Sequence, residues 1–212
     1  MIIGVTGGIG SGKSTILRAV AGQGYAVYDC DAQAKRIIME DPAVRKQMIE
    51  LFGEGVYADG VYQTSYVAAQ VFVYPEKLQQ LNAIVHPAVM EDIRIQDSGF
   101  RIQDSDILFV ESAILVSSGI AELCDAVVTI TAPEDVRVER VLKRAEQQGK
   151  PTTADEVRAR IRSQKSEFRS QDSGFRNQKS VEICNDGKRS IEDLAQELIF
   201  FAQKLANIKK KS

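Results

Sequence analysis

The 212-residue chain sets 27 basic against 29 acidic residues and is 44% hydrophobic, enough for one substantial core with a smaller attached region. The near-balanced charge gives no global attraction for nucleic acid, and no apolar stretch is long enough to span a bilayer, so neither nucleic acid nor membrane is an expected partner. No leader-like segment precedes the first apolar run, and the three cysteines include no C-x-x-C pair; a cytoplasmic setting is expected, without a disulfide framework or zinc site.

The first predicted strand, Ile2 to Val5, runs directly into Gly7-Gly8-Ile9-Gly10-Ser11-Gly12-Lys13-Ser14, a G-x-x-x-x-G-K-S loop. Its glycines allow successive N–H groups to point into one concavity, Lys13 reaches the β- and γ-phosphates, and the Ser14 hydroxyl is placed for Mg²⁺. The helix expected from Ser14 to Val20 adds its positive dipole end beneath the anion. A second strand, Tyr25 to Tyr28, ends at Asp29-Cys30-Asp31. Carboxylates at a strand's carboxyl end in such a sheet face the ligand crevice, and phosphoryl transfer needs an acid to orient or deprotonate the attacking oxygen. Asp31 is the candidate for that role, with Asp29 in support; the alternative is that Asp31 only caps a helix over Ala32 to Met39.

Helical patterns follow at Pro42 to Phe52, Ser65 to Phe72 and Pro75 to Met90 before the next strand, Ile107 to Val110. Roughly 75 residues between two sheet strands exceed what a crossover needs, which predicts a substrate-covering helical insertion. It contains the chain's one histidine, His86, followed by Pro87. A lone histidine is more often structural than catalytic, although His86 would line an acceptor pocket if these helices cover the crevice. The third strand ends at Glu111, where P-loop proteins place a carboxylate near Mg²⁺; a solvated sheet-edge acid fits equally well. A fourth strand, Ala126 to Ile130, precedes a helix opened by Pro133. Arg137, Arg140, Arg144, Arg158, Arg160 and Arg162 gather after it. Arg140 and Arg144, four apart, share a helix face from which two guanidinium groups would reach a triphosphate, unless they merely pair with Glu139 and neighbours in solvent. The fifth strand, Val181 to Cys184, leads to Asn185-Asp186-Gly187, a turn signal whose position also permits a backbone contact to the base, and the last helix is predicted from an N-cap at Ser190 to about Leu205. Cys124 and Cys184, at or inside apolar runs, are expected as buried thiols.

A seven-residue unit beginning with arginine recurs from Arg94 and Arg101 and again from Arg162, Arg169 and Arg176. Two or three units are too few for a coiled coil, and Gly99 and Gly174 weaken a helix, so these read as peripheral, partly mobile insertions.

Alternating strands and helices give an α/β class: a P-loop NTPase fold with a parallel five-stranded sheet flanked by helices. In order and spacing, Thr6-Gly7-Gly8-Ile9-Gly10-Ser11-Gly12-Lys13-Ser14, Asp29-Cys30-Asp31, His86-Pro87, Glu111 and Asn185-Asp186-Gly187 resemble the dephospho-CoA kinase family. The resemblance implies transfer of the γ-phosphoryl group of ATP, with Mg²⁺, to the ribose 3′-hydroxyl of dephospho-CoA. It also implies a single kinase domain with core 1–31, 106–135 and 180–208, a helical CoA-binding region over about 32–105 and a lid over about 136–179. It assigns catalysis to Asp31, Lys13 and Arg140, nucleotide contacts to Gly10, Ser11, Gly12, Lys13, Ser14, Thr15, Arg144 and Asn185, metal to Ser14, and acceptor contacts to Asp29, His86 and Glu111. The chain departs from the family pattern at Lys35, where an arginine is usual, and at Ser117, where a second acid is usual; Gln164, inside the repeat that begins at Arg162, is the last recognisable match. Another small-molecule or nucleoside monophosphate kinase on the same core is the nearest alternative. A GTPase switch lacks its N-K-x-D motif here, and a motor ATPase its D-E strand ending.

Overall fold

The computed structural model describes residues 1–100, 107–171 and 179–210. The chain divides into two compact units, one formed by Met1–Tyr28 with Gly99–Ser212 and the other by Asp29–Ser98.

The first unit is built on a five-stranded sheet of β1 (Ile2–Thr6), β2 (Ala26–Asp29), β5 (Leu108–Glu111), β6 (Ala126–Thr131) and β7 (Lys179–Cys184), in the order β2-β5-β1-β6-β7. Strand β1 lies in the middle, parallel to β5 on one side and β6 on the other, and β6 is parallel to β7. Every residue of β1 is buried, as a central strand covered on both faces requires, and this explains the apolar run from Ile2 to Val5. Two helices cover one core: α1 (Lys13–Gly22) through Ile16, Leu17 and Val20, and α8 (Ile191–Lys209) through Leu194, Leu198 and Ala202 at four-residue spacing with Ala195 and Ile199 beside them. Ser190 caps α8 as expected, its hydroxyl accepting from the Asp193 amide at 3.0 Å.

Two further helices of this unit, α6 (Glu134–Gln147) and α7 (Ala154–Gln171), share a small core of Val138, Val141, Val157 and Ile161. Ile9 of the glycine loop packs against it.

The second unit holds α2 (Cys30–Glu40), α3 (Pro42–Phe52), α4 (Thr64–Val73) and most of α5 (Pro75–Phe100), with a short ribbon of β3 (Tyr57–Ala58) and β4 (Val61–Tyr62). Asp41 starts α3 by accepting from the Ala43 and Val44 amides, and Pro42 at the first turn has no N–H to leave unpaired. Val44, Met48 and Phe52 then fall on one stripe and are buried, each stabilising by about 1.5–3 kcal/mol relative to exposure. The Arg36 guanidinium clasps both Asp92 carboxylate oxygens at 2.8 Å and so ties α2 to α5. The insertion is therefore not purely helical, because the β3–β4 ribbon lies within it.

Two expectations need correction. Cys184 is exposed at the end of β7, whereas Cys124 is buried as expected, and burial pushes its thiol up to about 12. The repeat units were expected as peripheral insertions. Their described parts instead continue helices, 94–100 in α5 and 162–171 in α7, with Asp97 buried; 101–106 and 172–178 lie outside the described residues. Among the described residues no helix is long and apolar enough to cross a membrane.

Candidate active site

The loop that follows β1 turns tightly, with the Ser11 amide donating to the Gly8 carbonyl at 3.1 Å. Gly12 is the N-cap of α1 in the left-handed conformation (φ 94°, ψ 13°), and its carbonyl accepts from the Thr15 and Ile16 amides. Lys13 opens the helix and donates from Nζ to the Gly7 carbonyl at 2.7 Å, so the ammonium is held against the loop. The next residue, Ser14, donates from Oγ to Glu111 Oε1 at 2.6 Å. Register explains the meeting: Glu111 pairs across the sheet with Val5, which puts the end of β5 beside the start of the loop. Of the residues singled out in the sequence, Lys13, Ser14 and Glu111 are thus brought together. A hydroxyl and a carboxylate oxygen this close are hard donors suited to Mg²⁺, which takes few protein ligands and completes its shell with phosphate and water.

The arginine-bearing helix meets the same loop from another side. Arg140 donates to Asn185 Oδ1 at 2.9 Å and to the Asn185 carbonyl at 3.2 Å, with looser contacts at 3.5 Å to the Gly10 and Ser11 carbonyls. Asn185 is buried and donates from Nδ2 to the Ser11 carbonyl at 2.9 Å. Its side chain therefore braces the loop and Arg140, a structural engagement that the turn signal did not disclose. Arg144, one turn further along α6, is exposed and sits in the last turn of that helix. Thr15 is likewise exposed, its hydroxyl accepting from Arg18 at 3.3 Å.

Two residues that the sequence left without a role also touch the loop. Arg137 Nε donates to the Ile9 carbonyl at 2.8 Å, and Gln164 Oε1 accepts from the Ile9 amide at 2.7 Å. Burial lowers the Arg137 guanidinium from its ordinary value, with Glu134 opposing the shift. The signal for Arg137 was its three-residue spacing from Arg140, which places both on one helix face.

In the second unit, Asp29 caps α2 by accepting from the Ala32 amide at 3.0 Å. The capping alternative for Asp31 is thereby corrected: the cap is Asp29, and Asp31 lies exposed in the first turn. A carboxylate there is favoured by the helix dipole. Lys35 is exposed, and the adjacent Arg36 is committed to Asp92. Ser117, the other departure, is exposed after β5. His86 lies half-buried on α5, where burial lowers its pKa and leaves the imidazole neutral at pH 7. Because the unfolded chain titrates near 6.5 and the folded one lower, the stability tied to neutral His86 is complete above about pH 6.5 and is lost as pH falls through the folded value. The urea midpoint should drop between pH 7.5 and 5.5 by more in the native chain than in His86→Gln; equal drops would exclude this contribution.

A phosphate loop leaving the central strand of a parallel sheet, with a lysine, a serine–carboxylate pair and an arginine-bearing helix beside it, defines a P-loop kinase. The family model for dephospho-CoA kinase matches residues 1–179, and the chain belongs to that family. It is 35% identical over 199 residues to a dephospho-CoA kinase of Bacteroides fragilis strain YCH46, covering 94% of this chain and 91% of that one. It is 39% identical over 165 residues to a dephospho-CoA kinase of Porphyromonas gingivalis strain W83, covering 78% of each. Among solved structures, protein TT1252 of Thermus thermophilus superposes with a TM-score of 0.72 at 31% identity over 97% of both chains.

Proposed function

We infer that this chain transfers the γ-phosphoryl group of ATP to the ribose 3′-hydroxyl of dephospho-CoA, forming coenzyme A and ADP in the last step of coenzyme A synthesis. The observation that carries the reading is the convergence of Lys13, Ser14 and Glu111 at the phosphate loop of a chain belonging to this family. The acceptor oxygen forms a bond to the γ-phosphorus as the bond to the β,γ-bridging oxygen breaks, and ADP leaves with that electron pair. Asp31 accepts the hydroxyl proton. Lys13 balances charge on the β- and γ-phosphates, and the loop amides from Gly10 to Thr15 hold them. Ser14 and Glu111 would hold Mg²⁺, which would neutralise phosphate charge there. Arg140 steadies the loop through Asn185 and lends positive charge to the phosphoryl group in flight, while Arg144 approaches the nucleotide from the end of α6. Asp29 and His86 contact the acceptor; residues 32–105 serve as the CoA-binding region and 136–179 as the lid. The reaction belongs to the cytoplasm, where ATP is abundant.

Incubation with ATP, Mg²⁺ and dephospho-CoA should yield ADP and a product heavier by one phosphoryl group. ADP release without the heavier product would overturn the reading. Ser14→Ala should raise the Mg²⁺ concentration for half-maximal rate by about tenfold, as expected when one of few protein ligands is lost. An unchanged Mg²⁺ dependence would remove Ser14 from the metal site.

A further inference from the structure

Ile9 lies within the phosphate loop, and both of its backbone polar groups are taken by side chains from helices distant in sequence. Its amide donates to Gln164 of α7 at 2.7 Å, and its carbonyl accepts from Arg137 of α6 at 2.8 Å. Its side chain packs against the cluster formed by Val138, Val141, Val157 and Ile161 of the same two helices. Three independent contacts thus fix one residue from a single side. The glycines on either side of it leave no room for anything else. A Cβ on Gly8 would come within 2.4 Å of Arg137 Nη2 and 3.2 Å of Gln164 Oε1, and one on Gly10 within 2.6 Å of the Arg137 carbonyl.

The chemistry of the loop gives these contacts a purpose. A phosphate cradle works only when its peptide planes turn N–H groups toward the anion. A plane that flips presents a carbonyl oxygen instead, which repels phosphate. In a glycine-rich segment such flips are cheap because glycine accepts both signs of φ. Gln164 and Arg137 hold the peptides before and after Ile9 in one orientation.

We propose that Arg137 and Gln164 are positioning residues for ATP, which lock the two peptide planes of Ile9 and thereby keep the phosphate loop in its anion-binding form. This rests on the reading of the loop as the ATP site. It gives α6 and α7 a duty at the donor half of the reaction that needs no direct contact with the nucleotide.

The test compares wild type with Arg137→Met, which keeps the aliphatic stem, and Gln164→Leu, which keeps the volume but not the acceptor. ATP–Mg²⁺ affinity is measured by calorimetry, and KM for each substrate by steady-state kinetics. Loss of a hydrogen bond that orders the loop should weaken ATP binding by about tenfold in each variant. The KM for dephospho-CoA should stay within about twofold and kcat within about threefold. A cycle adds specificity: Gly8→Ala should weaken ATP binding in the native background and add little on top of Arg137→Ala, since the nearest clash partner is gone and the contact to Gln164 Oε1 at 3.2 Å needs only a small side-chain shift. ATP affinity unchanged in both variants, KM values for both substrates rising together, or Gly8→Ala adding its full effect to Arg137→Ala would each overturn the proposal. Wild type that fails to bind ATP would instead overturn the reading of the loop itself.

Discussion

Asp31→Asn should lower turnover by roughly 10²–10⁴-fold while leaving ATP affinity within about threefold. The substitution is nearly isosteric and removes the carboxylate charge, and with it the proposed capacity to take a proton from the attacking hydroxyl. Its structural cost is small for a reason visible in α2. The cap of that helix is Asp29, which accepts from the Ala32 amide, so the helix start survives the change at Asp31. What disappears is a first-turn charge worth about 0.3–1 kcal/mol against the helix dipole. Stability measured by urea unfolding should therefore shift only slightly while kcat collapses. Near-normal turnover would take Asp31 out of the mechanism. Asp29→Ala, which removes the capping acceptor, should show the opposite balance, with more stability lost and a smaller fall in turnover.

Gly12→Ala should weaken ATP binding by about 100-fold or more, corresponding to roughly 3 kcal/mol of lost loop order. Two penalties add. The residue sits at φ 94°, where any side chain costs about 1–2 kcal/mol. The added Cβ would also stand 2.3 Å from Asn185 Nδ2. That amide cannot step aside freely, because Asn185 is buried and binds the Ser11 carbonyl and Arg140 simultaneously. Displacing it removes about 1 kcal/mol for each hydrogen bond lost and releases the arginine as well. Thermal unfolding and ATP titration together check the prediction, and an alanine without effect on either would show that the brace is not rigid.

Local chemistry made much of the architecture legible. The strand, glycine loop and helix at residues 2–22 are specified by neighbouring residues, and Asp41-Pro42 and Ser190 announce helix starts that the structure contains. Other features were present in the sequence but easily passed over. Tyr57-Ala58-Asp59-Gly60-Val61-Tyr62 carries an Asp-Gly hairpin signal, and the turn has positive φ at both Asp59 and Gly60. Its strands are only two residues long, so no alternation of polar and apolar residues could reveal them. Helix α7 was hidden for a different reason. Among its residues whose burial is described, only Val157 and Ile161 are buried, and they pack with α6 and with Ile9 from the far end of the chain. The same distance hid the roles of Arg137 and Gln164, whose partners are backbone atoms and therefore leave no pattern in side-chain identity. Asp29 and Asp31 could not be told apart as cap and candidate base from spacing alone, since both positions suit either task.

The placement of β1 has a bearing on how long the catalytic shape persists. The strand is buried throughout and hydrogen-bonded on both flanks, so it can open only when the sheet itself opens. Fraying begins at edges and exposed connections, far from the middle strand. The phosphate loop is anchored to the segment whose amides should exchange with solvent last, so its point of attachment persists as long as the sheet does.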